Sequence, residues 1–159
     1  MYQFDYHRPA NLKEAAELLT KCDEAKILAG GQTLIPTLKQ RLAMPSDLID
    51  LGALKELSFI KAEGDAIMIG AATPHADVAV NADVRKHLPS LAKLAEGIGD
   101  PAVRHKGTIG GSLANNDPSA DYPAAVLALD AKIHTTKRLI EADEFFKGMF
   151  ETALGEDEI

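Results

Sequence analysis

Alternating periods fill the first fifty residues, and that alternation restricts the fold more than any single residue does. A strand-like opening, Tyr2 to Tyr6, ends at Arg8-Pro9. Asn11 stands where a helix N-cap belongs, with Glu14 three residues on, a variant of the capping box. Leu12, Ala15, Ala16, Leu18, Leu19 and Cys22 follow at helical spacing, which predicts a helix burying one face and reads Cys22 as a core residue. Ala25 to Ala29 reads as a short buried strand, Thr33 to Leu42 as a helix with Pro36 in its first turn, and Asp47 to Leu51 as a further strand. Strand, helix, strand, helix, strand is the signature of an α/β lobe.

Beyond Gly52 the pattern changes. Leu57–Ala62 and Ala66–Ala71 flank Glu63-Gly64-Asp65 and predict a hairpin. Thr73 is expected to cap a helix with Pro74 at its first position and Asp77 near its positive end. Pro89 or Ser90 to Glu96 and Asp121 to Leu129 read as helices, and Ala131 to Thr135 as a strand. The expectation is an α+β fold of two lobes: residues 1–52, small and α/β, and residues 53–159, larger, with an antiparallel sheet and helices.

Two glycine loops interrupt these elements. Leu28-Ala29-Gly30-Gly31-Gln32-Thr33 joins a buried strand to a helix start. Paired glycines permit positive φ and a close backbone approach, and successive N–H groups then line one concavity suited to an anion. Lys106-Gly107-Thr108-Ile109-Gly110-Gly111-Ser112 has three glycines in a short space and reads as a second backbone-lined cradle, with Thr108, Ser112 and Asn115 as hydrogen-bonding side chains. Asp121 could accept from a ligand hydroxyl or serve simply as a helix-start acid. Neither loop is G-x-x-x-x-G-K-S/T or a G-x-G-x-x-G opening a helix. Two loops facing an elongated anion make the chain a nucleotide or dinucleotide binder.

Other classes are disfavoured. Net charge is -7 with lysines and arginines scattered, so no basic stripe for nucleic acid is present. The apolar runs are too short to span a membrane, no secretory signal is read at the start, and a reducing cytoplasm suits the composition. Cys22 is the only cysteine, which precludes an internal disulfide and a centre ligated by several cysteines. The five histidines show no H-x-x-x-H or H-x-E spacing, so no metal site is expected. Asp117 and Asp121 are separated by Pro118 and do not read as a catalytic carboxylate pair, and G-x-S-x-G is absent around Ser112. Arg104-His105-Lys106 reads as a solvated turn, and Glu151 to Glu158 as a solvated acidic tail.

The segment Lys26-Ile27-Leu28-Ala29-Gly30-Gly31-Gln32-Thr33-Leu34, taken with Gly107 to Asn115, Asp117-Pro118 and Asp121, resembles the FAD-binding medium subunit of molybdenum hydroxylases, the xanthine dehydrogenase and aerobic carbon monoxide dehydrogenase family. The likeness runs from Phe4-x-Tyr6-x-Arg8-Pro9 to Phe145-Phe146-x-Gly148 and Thr152-Ala153-Leu154. It implies a two-lobed flavin-binding fold of the vanillyl-alcohol-oxidase (PCMH) type holding FAD non-covalently. The implied contacts fall on Lys26, Ile27, Leu28, Ala29, Gly30, Gly31, Gln32 and Thr33, on Thr108, Ile109, Gly110, Gly111 and Ser112, and on Asp121, with Ile98 as an apolar contact to the flavin. Gln32 stands where some members carry His, and Ser112 where many carry Asn.

The resemblance further implies electron transfer from iron–sulfur (2Fe-2S) clusters in a small subunit through FAD to an external acceptor, with substrate hydroxylated at molybdopterin in a large subunit. No catalytic residue or metal ligand is expected in this chain. Medium subunits continue beyond the segment equivalent to Leu154–Ile159, so the second lobe is expected to be incomplete, with an unprotected sheet edge. The competing expectation is a non-redox partner-binding or assembly module, or a stand-alone nucleotide-binding regulator, that keeps the fold and binds FAD weakly or not at all.

Overall fold

A computed structural model describes residues 1–159. The opening alternation forms β1 (Asp5–His7), α1 (Leu12–Lys21), β2 (Lys26–Leu28), α2 (Leu34–Lys39) and β3 (Asp47–Asp50). The strands are all parallel in the order β1-β3-β2, with Asp5 opposite Asp47 and Leu28 opposite Asp50. Asn11 caps α1 as expected: its side-chain oxygen accepts from the Glu14 N–H at 2.9 Å, and the Glu14 carboxylate accepts from the Ala10 N–H at 2.7 Å. The apolar face of α1 lays Ala15 on the sheet, where Ala15 and Ile49 lose all exposure beside Leu51 and Leu54. Complete burial of Ile49 contributes about 1.5–3 kcal/mol. This smaller core also draws Leu57 and Ile159 from outside the opening segment.

After a 3₁₀ turn at Lys55–Leu57, β4 (Ile60–Glu63) and β5 (Ala66–Ile69) form the expected hairpin, turned by Gly64 at φ +59°. Helices α3 (His75–Val80), α4 (Ala82–His87), α5 (Pro89–Gly97), α6 (Pro101–Arg104), α7 (Ile109–Asn115) and α8 (Tyr122–Ala128) follow. The chain then forms β6 (Lys132–His134), β7 (Leu139–Glu141), α9 (Ala142–Phe145), β8 (Phe146–Gly148) and β9 (Glu151–Thr152). A larger core of 13 buried residues, among them Val78, Val84, Tyr122 and Phe145, joins these elements.

The structure departs from the sequence reading at four points. The expected antiparallel sheet is instead three separate two-stranded ladders, β4-β5, β6-β7 and β8-β9. Thr73 does not cap α3: Pro74 holds the cap position, and the Thr73 hydroxyl accepts from the Phe59 N–H (3.2 Å) and donates to its carbonyl (3.0 Å), tying the helix entry to the hairpin. Asn81 ends α3 and caps α4, a helix the sequence did not suggest, by accepting from the Asp83 and Val84 N–H groups at 3.0 Å.

The acidic tail is the fourth. Glu158 is only 6% exposed; Arg138 donates to both its oxygens, Nε at 3.0 Å and a terminal nitrogen at 2.9 Å, and the Gly155 N–H adds a third bond at 2.9 Å. The Arg138 bonds come first in holding the Glu158 carboxyl well below its usual range, at about 2. An arginine fork, helped by the Gly155 N–H and the Thr135 hydroxyl, thus turns the end of a tail that composition reads as solvated into part of the fold.

Candidate functional site

The first glycine loop leaves the end of β2, where Ile27 packs on the smaller core and Lys26 is exposed. Gly31 sits at φ +71°, a conformation side chains resist, and Gln32 folds back so that its Nε2 donates to the Gly30 carbonyl at 3.1 Å. Thr33 caps α2 without a side-chain cap bond, so its hydroxyl remains available. From Ala29 to Leu34 no backbone N–H donates to any acceptor within the chain. Backbone donors are obligatory hydrogen-bonding groups, so six consecutive unpaired ones in a fixed turn form a ready receptor for a polyanion.

The second loop is built differently, and the expectation of a second backbone cradle is corrected. Gly110 and Gly111 lie in the first turn of α7, whose cap is Thr108: the hydroxyl accepts from the Gly111 N–H at 3.2 Å. The N–H of Ile109 goes to the Thr73 carbonyl (3.1 Å), that of Gly110 to Ala71 (2.8 Å), and that of Ser112 to Thr108 (3.0 Å). Thr108 alone in this stretch keeps a backbone N–H without an acceptor. Here glycine serves close packing: a Cβ on Gly110 would stand 2.5 Å from Ala71 Cβ, and one on Gly107 would stand 2.6 Å from His75 Nε2.

The two loops meet. A Cβ on Gly30 would stand 2.1 Å from the Lys106 carbonyl oxygen and 2.7 Å from Gly107 Cα, and one on Gly111 would reach 3.7 Å from Ala29 Cβ. Only glycine at position 30 allows backbone to lie on backbone here. The donors of the first loop therefore stand beside the cap and first turn of α7, with the Ser112 hydroxyl on the next residue free of intrachain bonds.

Asp121 occupies the cap position of α8, which packs against α7, and its carboxylate makes no hydrogen bond within the chain. Ile98 ends α5 with its side chain packed on the larger core. Sequence reasoning missed the support beneath the second loop. Ala71 and Thr73 receive the loop's donors, and His75 packs under Gly107 while its own N–H donates to the Gly107 carbonyl at 3.0 Å. The ring of His75 lies 5.3 Å from that of Tyr122, and neither His75 Nδ1 nor the Tyr122 hydroxyl has a partner. Burial lowers the His75 pKa and keeps the ring neutral; burial, then the Asp121 charge, raises that of Tyr122. Nothing in local spacing signals these contacts; the glycines alone hint that something presses close.

Comparison with known proteins places this geometry. The family model for the FAD binding domain in molybdopterin dehydrogenase matches residues 2–159. The carbon monoxide dehydrogenase medium chain of Hydrogenophaga pseudoflava is 41% identical over 162 residues, covering 99% of this chain and 56% of that protein. The nicotine 6-hydroxylase medium subunit of Paenarthrobacter nicotinovorans is 39% identical over 158 residues, covering 97% of this chain and 56% of that protein. The structure of the carbon monoxide dehydrogenase from H. pseudoflava lacking the Mo-pyranopterin moiety superposes with a TM-score of 0.97 at 41% identity, over 99% of this chain and 57% of that one. The chain thus spans little more than half the length of the relatives it matches.

Proposed function

This chain belongs to the family of FAD-binding domains of molybdopterin dehydrogenases, and from that membership and the site geometry we propose that it is the flavin-holding part of a molybdenum hydroxylase medium subunit. The observation that carries the reading is the run of six unpaired backbone N–H groups from Ala29 to Leu34, set against α7 by the Gly30 contact. These donors can carry a pyrophosphate without a lysine cluster.

In this reading Lys26, Ile27 and Leu28 fix the loop at the sheet, and Ala29, Gly30, Gly31, Gln32 and Thr33 hold the phosphates through N–H groups and the Thr33 hydroxyl. Thr108 and Ser112 supply donors across the cleft, and Ile109, Gly110 and Gly111 form its wall. Asp121 accepts from a ligand hydroxyl, and Ile98 gives an apolar contact to the flavin. The lobes divide at residues 1–52 and 53–159. FAD, bound without a covalent link, would supply redox chemistry between iron–sulfur clusters of a small subunit and an external acceptor. The molybdopterin-bearing large subunit would hydroxylate the substrate. This chain's share is binding and orientation, with no acid, base or nucleophile of its own. No helix is long and apolar enough to cross a membrane, and a cytoplasmic complex is the proposed setting.

The test is the visible spectrum of the purified chain, as isolated and after addition of FAD and desalting. A retained flavin band that denaturation releases is the expected result. A folded, colourless protein that does not retain FAD would overturn the claim that these residues suffice, and would favour a partner-binding module instead.

A further inference from the structure

The opposite end of the parallel sheet carries a second constellation. The glycine loop leaves the C-terminal end of β2, whereas Asp47 begins the central strand, β3, at the opposite end of the strands. Asp5 pairs with Asp47, so His7, two residues along β1, shares the sheet face of Asp47, the face that Ile49 turns toward α1. Because α1 returns the chain from the end of β1 to the start of β2, its C-cap, Cys22, arrives at that same end of the sheet. His7 Nε2 lies 2.6 Å from Asp47 Oδ1, and the ligand atoms of His7, Cys22 and Asp47 all lie within 4.8 Å of one another. The second oxygen of Asp47 accepts from the Ser46 hydroxyl at 2.6 Å.

We propose that His7 Nε2, Cys22 Sγ and the Asp47 carboxylate form a binding site for one zinc-class divalent ion. An imidazole, a thiolate and a carboxylate are the donor types a borderline-soft ion accepts together, and three protein ligands with water in the fourth position make a complete tetrahedral shell. Zinc–ligand bonds of about 2.0–2.3 Å put tetrahedral donors about 3.3–3.7 Å apart. The His7–Asp47 pair, at 2.6 Å, must open by roughly an ångström, and no donor pair is wider than 4.8 Å, adjustments within the reach of side-chain rotation. All three residues are half-buried, with the His7 side chain 30% and that of Asp47 15% exposed, so an ion has both an entry path and room for its water. The Ser46 hydroxyl already orients the carboxylate, as an outer partner of a ligand should. On binding, the thiol proton leaves to solvent and His7 coordinates as the neutral ring.

A hydrolytic Cys-His-Asp triad is the rival for this residue set, and the order of contacts opposes it. In a triad the imidazole stands between thiol and carboxylate, bonded to both; here His7 Nε2 bonds the Asp47 carboxylate and no hydrogen bond joins the imidazole to the thiol.

Cobalt(II) titration of the metal-free chain tests the proposal. Because Cys22 is the only cysteine, a thiolate-to-cobalt charge-transfer band can arise nowhere else in the chain. The expected result is such a band saturating at one equivalent per chain and bleached by Zn²⁺. It should be absent in Cys22→Ser, and cobalt affinity should fall at least tenfold in His7→Gln and in Asp47→Asn, with unchanged circular dichroism. The proposal is overturned by the absence of a band in the wild type, or by saturation at half an equivalent, which would mean two chains sharing one ion. Wild-type affinity in His7→Gln or Asp47→Asn would overturn it too, since the thiol alone would then hold the metal.

Discussion

Gly30→Ala adds one methyl group at the point where the two loops touch. The new carbon would stand 2.1 Å from the Lys106 carbonyl oxygen, 2.7 Å from Gly107 Cα and 2.8 Å from the Lys106 carbonyl carbon. The nearest of these is about 1.3 Å inside the 3.4 Å at which ordinary contact begins. All three obstructing atoms are backbone, so no side chain can swing aside and the loops must part. Overpacking of this kind costs about 1–3 kcal/mol. If FAD requires the loops in their present contact, that cost falls on binding and weakens it about 5- to 150-fold, at 1.4 kcal/mol per tenfold. If the free protein also holds them together, part of it appears as lost stability.

Titration of flavin fluorescence, paired with urea denaturation, separates the two contributions. Gly97→Ala is the matched control: the same methyl group is added at the end of α5, where a Cβ meets nothing within 4 Å, and FAD binding should not change. A folded Gly30→Ala protein that binds FAD within twofold of wild type at undiminished stability would refute the reasoning, because the loops would then not be in the contact described.

Three further outcomes are expected. Asn116 ends α7 at φ +43° with its Nδ2 donating to the carbonyls of Gly148 (2.7 Å) and Glu151 (2.9 Å). Asn116→Asp turns that donor into an acceptor facing two carbonyls and should cost about 1–3 kcal/mol in urea unfolding, whereas an unchanged midpoint would mean the β8-β9 ladder is held elsewhere. The Glu158 carboxyl titrates at about 2 in the folded chain, below its ordinary 4.5, so it contributes stability above pH 4.5 that is lost as pH falls toward 2. Glu158→Gln should therefore be less stable at neutral pH and show a flatter fall in acid, and parallel pH profiles for the two proteins would refute the assignment. Tyr122→Phe removes a buried hydroxyl that has no partner and should leave stability unchanged or raise it by about 1–3 kcal/mol; a loss measured in the same assay would reveal a partner for that hydroxyl.

Local rules made much of this protein legible before any contact was known. The Asn11–Glu14 cap, the strand-helix alternation of the opening segment and the Gly64 turn all depend on residues a few positions apart, and each formed in the order expected, though the first strand shifted from Tyr2–Tyr6 to Asp5–His7 and the second helix shortened to Leu34–Lys39. The first glycine loop was legible for the same reason: a glycine pair between strand and helix dictates its own turn. The second loop was not. Whether its glycines line an open cradle or pack against the chain at the start of a helix depends on Ala71, Thr73 and His75, which pack beneath it from a distant stretch of chain.

The reversal of the acidic tail has the same physical origin. Charge and composition favour water for Glu158, and the Arg138 fork, with the Thr135 hydroxyl and the Gly155 N–H, outweighs that preference. Likewise, His7, Cys22 and Asp47 follow no motif spacing and meet because the crossover through α1 brings the end of that helix to one end of the parallel sheet. Backbone preference and periodicity act over one or two turns of chain, so the sequence by itself determined the elements and the first loop. The meeting of the two loops, the burial of Glu158 and the second constellation were decided by packing between elements, for which local sequence carries no signal.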